Sequence, residues 1–182
     1  MKKLSHSLAG VSLLAFAVAG LLIGQETKQV HAGKGGSPHV TTTYKMEGKT
    51  VSITYGRPFK KNRKIFGETI PFGQVWRLGA DEATTFEMGG DMMIGPLHVV
   101  AGKYTLYAVP GPKEWTLVIS KQTGQWGTVY SKDQDYGRTA MKLTKASSPV
   151  EQLTITIEGK ADDKFLKVAW DDAVATVPVM MH

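Results

Sequence analysis

The chain has 182 residues, 42% of them hydrophobic, with a formal charge of +6 and no cysteine. That length suits one hydrophobic core, and the lack of cysteine excludes disulfides, thiolate metal centres and a lipid-modified cysteine anchor. The charge is a poor sign of a nucleic-acid partner, because surface charges are screened beyond about 8–10 Å at physiological salt, and no nucleic acid is expected.

Lys2 and Lys3 precede an apolar run over residues 8–23, interrupted only by small residues and Ser12, and a polar stretch then ends in Val30-His31-Ala32. This order of basic, apolar and small-residue regions is the layout of a secretory signal. The run has 16 residues, short of the roughly 20 a helix needs to cross a bilayer core. The expectation is a signal peptide over residues 1–32, cut after Ala32 with Gly24 as the alternative point, and a periplasmic or secreted protein without a stable membrane anchor. Loss of Lys2, Lys3, Lys28 and Glu26 would lower the charge from +6 to +4.

Residues 33–38 read as a flexible leader of glycines, Lys34 and Pro38. Their spacing does not fit a phosphate-binding loop. From Val40 onward apolar side chains recur at every second position, as on a half-buried strand. Residues 40–46 and 51–55 form a hairpin across Glu47-Gly48-Lys49. An irregular stretch covers residues 57–83. A second hairpin joins residues 104–108 to 115–119 around Pro110-Gly111-Pro112. Residues 123–137 are again irregular. Residues 153–158 and 166–170 alternate, and a closing strand spans 173–179, where Pro178 suggests a sheet edge because it lacks a backbone donor. The expected fold is all-β, a single antiparallel β-sandwich or jelly-roll-like domain over residues 39–182 with two long irregular loops.

The first irregular stretch contains Gly56-Arg57-Pro58, Asn62-Arg63-Lys64-Ile65-Phe66-Gly67 and Pro71-Phe72-Gly73-Gln74-Val75-Trp76-Arg77-Leu78-Gly79-Ala80-Asp81-Glu82-Ala83-Thr84. These segments, with Ala101-Gly102-Lys103-Tyr104-Thr105-Leu106-Tyr107, Pro110-Gly111, Trp115-Thr116 and Trp126-Gly127, resemble an uncharacterised bacterial family, domain of unknown function 2911. Asn62 stands where that family often has glycine, Phe72 where it has tyrosine, and Asp81 where it has asparagine. The resemblance implies export and a shared fold and supplies no reaction.

Arg57, Arg63, Arg77, Asp81 and Glu82 lie in one connection with Phe66, Phe72 and Trp76. Guanidinium forks match carboxylates, phosphates and sulfates. One reading is therefore an anion or sugar-acid site with Trp76 as an apolar wall. The competing reading is structural, with Glu82 clamping one or two arginines. Trp126 and Tyr130, in the second loop, offer ring faces for a sugar. Lys60, Lys61, Arg63 and Lys64 read as a solvated basic face. Asp133, Asp135 and Arg138 read as local turn pairing rather than a calcium loop.

No nucleophile elbow occurs, His98 reads as a lone surface histidine, and no closely spaced histidine pair suggests zinc, so neither metal nor cofactor is expected. The leading expectation is a non-catalytic envelope module for a polar or anionic, glycan-like ligand, with Arg57, Arg63, Trp76, Arg77, Asp81, Glu82 and Trp126 as candidate contacts. The alternatives are a periplasmic hydrolase using Asp81 or Glu82, and a module that binds protein partners through a sheet edge.

Overall fold

The computed structural model describes residues 25–160 and 163–182, so most of the expected signal segment lies outside the described residues. The described residues are all-β. Their strands are β1 (Gln25–His31), β2 (His39–Met46), β3 (Lys49–Gly56), β4 (Thr85–Met88), β5 (Met92–Ile94), β6 (Leu97–Val99), β7 (Gly102–Val109), β8 (Glu114–Ser120), β9 (Asp135–Lys160) and β10 (Asp163–Met181). They form one antiparallel sheet in the order β1-β2-β3-β4-β7-β8-β9-β10-β5-β6. The sheet stays open, and its ends fold over a single core as in a sandwich.

The alternating pattern becomes alternating burial. In β2, Val40, Tyr44 and Met46 point inward, and they meet Val51, Ile53 and Tyr55 of β3 across the turn at Glu47 and Gly48. Leu153, Ile155 and Ile157 of β9 face the same core as Leu166, Val168 and Trp170 of β10. Fully burying each such aliphatic side chain stabilises the fold by roughly 1.5–3 kcal/mol.

Some features differ from the expectation. The strand bearing Pro178 is internal, because β10 pairs with β9 through Thr176 and with β5 from Val179 onward. Proline fits there because it falls between the two partners, and its carbonyl accepts from Gly95 N–H at 2.8 Å. The edges of the sheet are β1 and β6. Strand β7 is buried on both faces, since the second loop covers its outer side: Tyr107 donates to Val129 O, and Gln125 reaches Thr105 and Tyr107.

Strands β9 and β10 are long enough to pass from one layer to the other. Bulges flank Asp171, which has φ +52° and marks the bend in β10. Aspartate tolerates this left-handed conformation better than most residues. The distal half of β9 has β10 on one side only, since β8 ends opposite Lys142. Its other side is closed by the first long loop and two tyrosines. Leu153 N–H donates to Pro58 O, Lys60 N–H to Glu151 O, Ile155 N–H to Tyr55 Oη and Ile157 N–H to Tyr44 Oη.

Candidate functional site

The first long loop is held at several points. Phe59 bridges Gln152, and Trp76 exchanges both backbone hydrogen bonds with Ala108. Phe66, Trp76, Trp115 and Trp170 pack as one aromatic cluster, with Phe66 and Trp115 centroids 4.5 Å apart and Trp76 stacked on Trp170 at 5.9 Å. Lys60 is drawn out of the expected solvated face: its Nζ lies 2.6 Å from Asp171 Oδ1, and both side chains are largely buried. Asp171 Oδ2 accepts from the Ile65 N–H. Burial alone would raise the Asp171 carboxyl, but Lys60, the Ile65 N–H and Lys64 together hold it below its ordinary value.

These anchors leave a cleft of about 760 Å³ between the two long loops and the 3-10 turn at Lys34–Gly36. Lys34, Lys61, Arg63 and Arg77 bring positive charge to it, Trp76, Tyr107, Tyr130 and Trp170 bring aromatic surface, and Asp81 is the one carboxylate on its described walls.

The candidate residues separate. Arg63, Trp76, Arg77 and Asp81 line the cleft, whereas Arg57, Glu82 and Trp126 do not. Arg57 closes the free side of β9, donating from Nε to Leu153 O and from Nη2 to Thr154 Oγ1, each at 3.0 Å. Arg63 donates to Lys60 O and Phe59 O, which shapes its own turn. Arg77 makes one long contact to Asp81 O, at 3.4 Å. Among the described residues no carboxylate lies within 4.0 Å of any of these three guanidiniums, so Glu82 does not clamp them. Trp126 is partly exposed, with Lys34 Nζ 5.1 Å above its ring. Asp135, Tyr130 and Arg138 pair locally, Arg138 donating to both partners and the Tyr130 hydroxyl donating to Asp135.

Asp81 and Glu82 turn toward a histidine pair that sequence reasoning missed. His31 lies within the expected signal peptide of residues 1–32, and the β1–β2 pairing sets it directly across from His39. Their rings stack with centroids 4.1 Å apart. His39 is 3% exposed, and its Nε2 makes no hydrogen bond although Glu82 Oε2 lies at 3.2 Å and Asp81 Oδ2 at 3.5 Å. Burial, then the neighbouring His31, push the His39 imidazole below its ordinary value against the pull of Glu82 and Asp81. Asp81 has φ +60°, and its Oδ2 accepts from Lys34 N–H at 2.8 Å, which fastens the 3-10 turn over the site. The signal available in the sequence was the antiparallel return of two strands across a short polar connection.

A family model described as "Protein of unknown function (DUF2911)" matches residues 37–179. No curated protein and no solved structure matches the chain.

Proposed function

Because the chain belongs to that family, whose description names no reaction, we propose its role from its own residues: an exported envelope domain that holds a polar, anionic, glycan-like ligand in the cleft beside Arg63 and Arg77. The observation that carries this reading is a cleft with four basic side chains on its walls and an arginine, Arg77, that no described carboxylate neutralises. A guanidinium left with spare donors beside aromatic surface suits a bidentate anionic group attached to an apolar or sugar-like body. The volume falls within the roughly 300–1,000 Å³ of small-molecule sites.

Arg77→Met tests it. Methionine keeps an unbranched stem where the arginine stem packs against Gly127 and removes every forked donor. Retention on an array of envelope glycans is expected to fall at least about tenfold, equivalent to about 1.4 kcal/mol, with the melting temperature nearly unchanged. A collapse in melting temperature, together with no ligand retained by the unaltered protein, would make the arginine structural.

Export is tested by the intact mass of the protein recovered from the cell envelope. The pairing of β1 with β2 over Gln25–His31 supports cleavage at the Gly24 alternative, which keeps that strand, over cleavage after Ala32, which removes it. The expected product begins at Gln25. A product beginning at Gly33 would leave β2 as the sheet edge, and an uncut chain would argue against export.

A further inference from the structure

We infer that His31, His39 and Glu82 form a binding site for a divalent first-row transition metal, zinc above all, with at least one coordination position open to water or to a ligand. This goes beyond the cleft reading and does not depend on it.

The three residues each offer a ligand atom, and these atoms lie within 4.8 Å of one another. The Nε2 atoms of the stacked histidines flank one oxygen: Glu82 Oε2 is 3.2 Å from His39 Nε2 and 3.8 Å from His31 Nε2. Ligand atoms around a tetrahedral zinc ion with bonds of about 2.0–2.1 Å sit roughly 3.3 Å apart. One pair already has that spacing. The two pairs that include His31 reach it when His31 turns out of its stack on His39 and Glu82 follows, both side chains being about half exposed.

The second, independent observation is the state of His39. It is 3% exposed, and its Nε2 faces two carboxylate oxygens, Glu82 Oε2 at 3.2 Å and Asp81 Oδ2 at 3.5 Å, without a well-formed hydrogen bond to either, an arrangement that is rare for a buried nitrogen. The ring is held in place by close packing: a Cβ on Gly56, the residue paired with His39, would stand 2.6 Å from Nε2, so only glycine lets the imidazole approach the backbone here. A metal ion held by Nε2 and Glu82 Oε2 replaces that poorly aligned contact with two coordinate bonds. Binding has a local cost, since His31 Nδ1 accepts from Gly33 N–H at 3.1 Å. Coordination through His31 Nε2 moves the ring proton to Nδ1 and breaks that contact, at an exposed turn where water can replace it.

Two imidazoles and one carboxylate form a borderline donor set that suits zinc, copper, nickel or cobalt better than calcium or magnesium, which prefer oxygen ligands. Asp81 Oδ2, occupied by Lys34 N–H, stays beside His39 as an orienting neighbour. His31 lies just before the Ala32 cleavage point, so the three-ligand site exists in a chain that retains residue 31.

The experiment titrates the full tag-free chain with zinc chloride by calorimetry and with cobalt chloride by visible absorption. One equivalent is expected, with the visible bands of a low-symmetry cobalt site. His31→Ala and Glu82→Gln, both at exposed positions, are each expected to weaken binding at least tenfold without lowering the metal-free melting temperature. His98→Ala, in the separate Asp91–His98–His182 surface group, is expected to change nothing. The proposal is overturned if the full chain takes up no more metal than the His31→Ala/Glu82→Gln double variant, or if His98→Ala abolishes the uptake.

Discussion

Asp171→Ala is expected to destabilise the fold by about 3 kcal/mol, because removing one partner of a largely buried ion pair leaves the other charge uncompensated. For a chain of this size that corresponds to a fall in melting temperature of roughly 6–12 °C. Asp171 uses both oxygens: Oδ1 meets Lys60 Nζ at 2.6 Å, and Oδ2 accepts from the buried Ile65 N–H. Alanine therefore leaves the Lys60 ammonium without its carboxylate, with only the Arg63 carbonyl at 3.2 Å, and the Ile65 N–H without an acceptor, at a bend where φ is +52°. Asparagine separates these effects. It tolerates the left-handed backbone, but its amide turns a donor toward one of two donors, so it recovers only part of the loss. The carboxyl sits below its ordinary value in the folded protein, so its contribution is fully present above the unfolded pKa, near 3.9, and is lost as pH falls through the lower folded value. Thermal melts across pH 2–7 check the sign: the unaltered protein loses stability below about pH 4, and Asp171→Asn lacks that part of the loss. A variant with the same melting temperature as the parent at pH 7 would mean that Lys60 finds water and the loop is not anchored here.

The same residue marks how far the fold could be read from the sequence. Hairpins β2–β3 and β7–β8 and the β9–β10 pairing were legible because inward and outward positions alternate strictly along them. The run through Asp171 was not, since a bulge resets the alternation and divides one strand into two apparent pieces. Strands β4, β5 and β6 are only 3 or 4 residues long, too short for any period to emerge. The double burial of β7 was hidden because a loop, not a strand, covers its second face. At the candidate site, the density of arginines in one loop was legible and their division of labour was not. Arg57 and Arg63 spend donors on backbone carbonyls, which carry no side-chain signature. Glu82 faces histidines instead of arginines because strand pairing sets His31, which the sequence pattern places in a signal peptide, across from His39.

Removing the two buried tyrosine hydroxyls, as Tyr44→Phe and Tyr55→Phe together, is expected to cost about 2–6 kcal/mol, near 1–3 for each orphaned backbone donor. Phenylalanine preserves the ring, so core packing changes little and the loss reports on hydrogen bonding alone. Tyr55 Oη accepts from Ile155 N–H at 2.8 Å, and Tyr44 Oη accepts from Ile157 N–H at 3.1 Å. Both amides lie on the side of β9 that no strand covers. Burial raises both phenols above their ordinary values, so the hydroxyls stay protonated throughout the range in which the protein would be studied. A strand side left open inside a sandwich cannot reach bulk water, so the hydroxyls act as single-residue substitutes for a neighbouring strand. Denaturant unfolding of each single variant and of the double variant measures the cost, and amide exchange at Ile155 and Ile157 locates it. Sites two residues apart on one strand are coupled, so the double variant is expected to depart from the sum of the singles. A total loss under about 1 kcal/mol, with both amides still protected, would mean that the loop carrying Pro58 closes this side of β9 without help from the tyrosines.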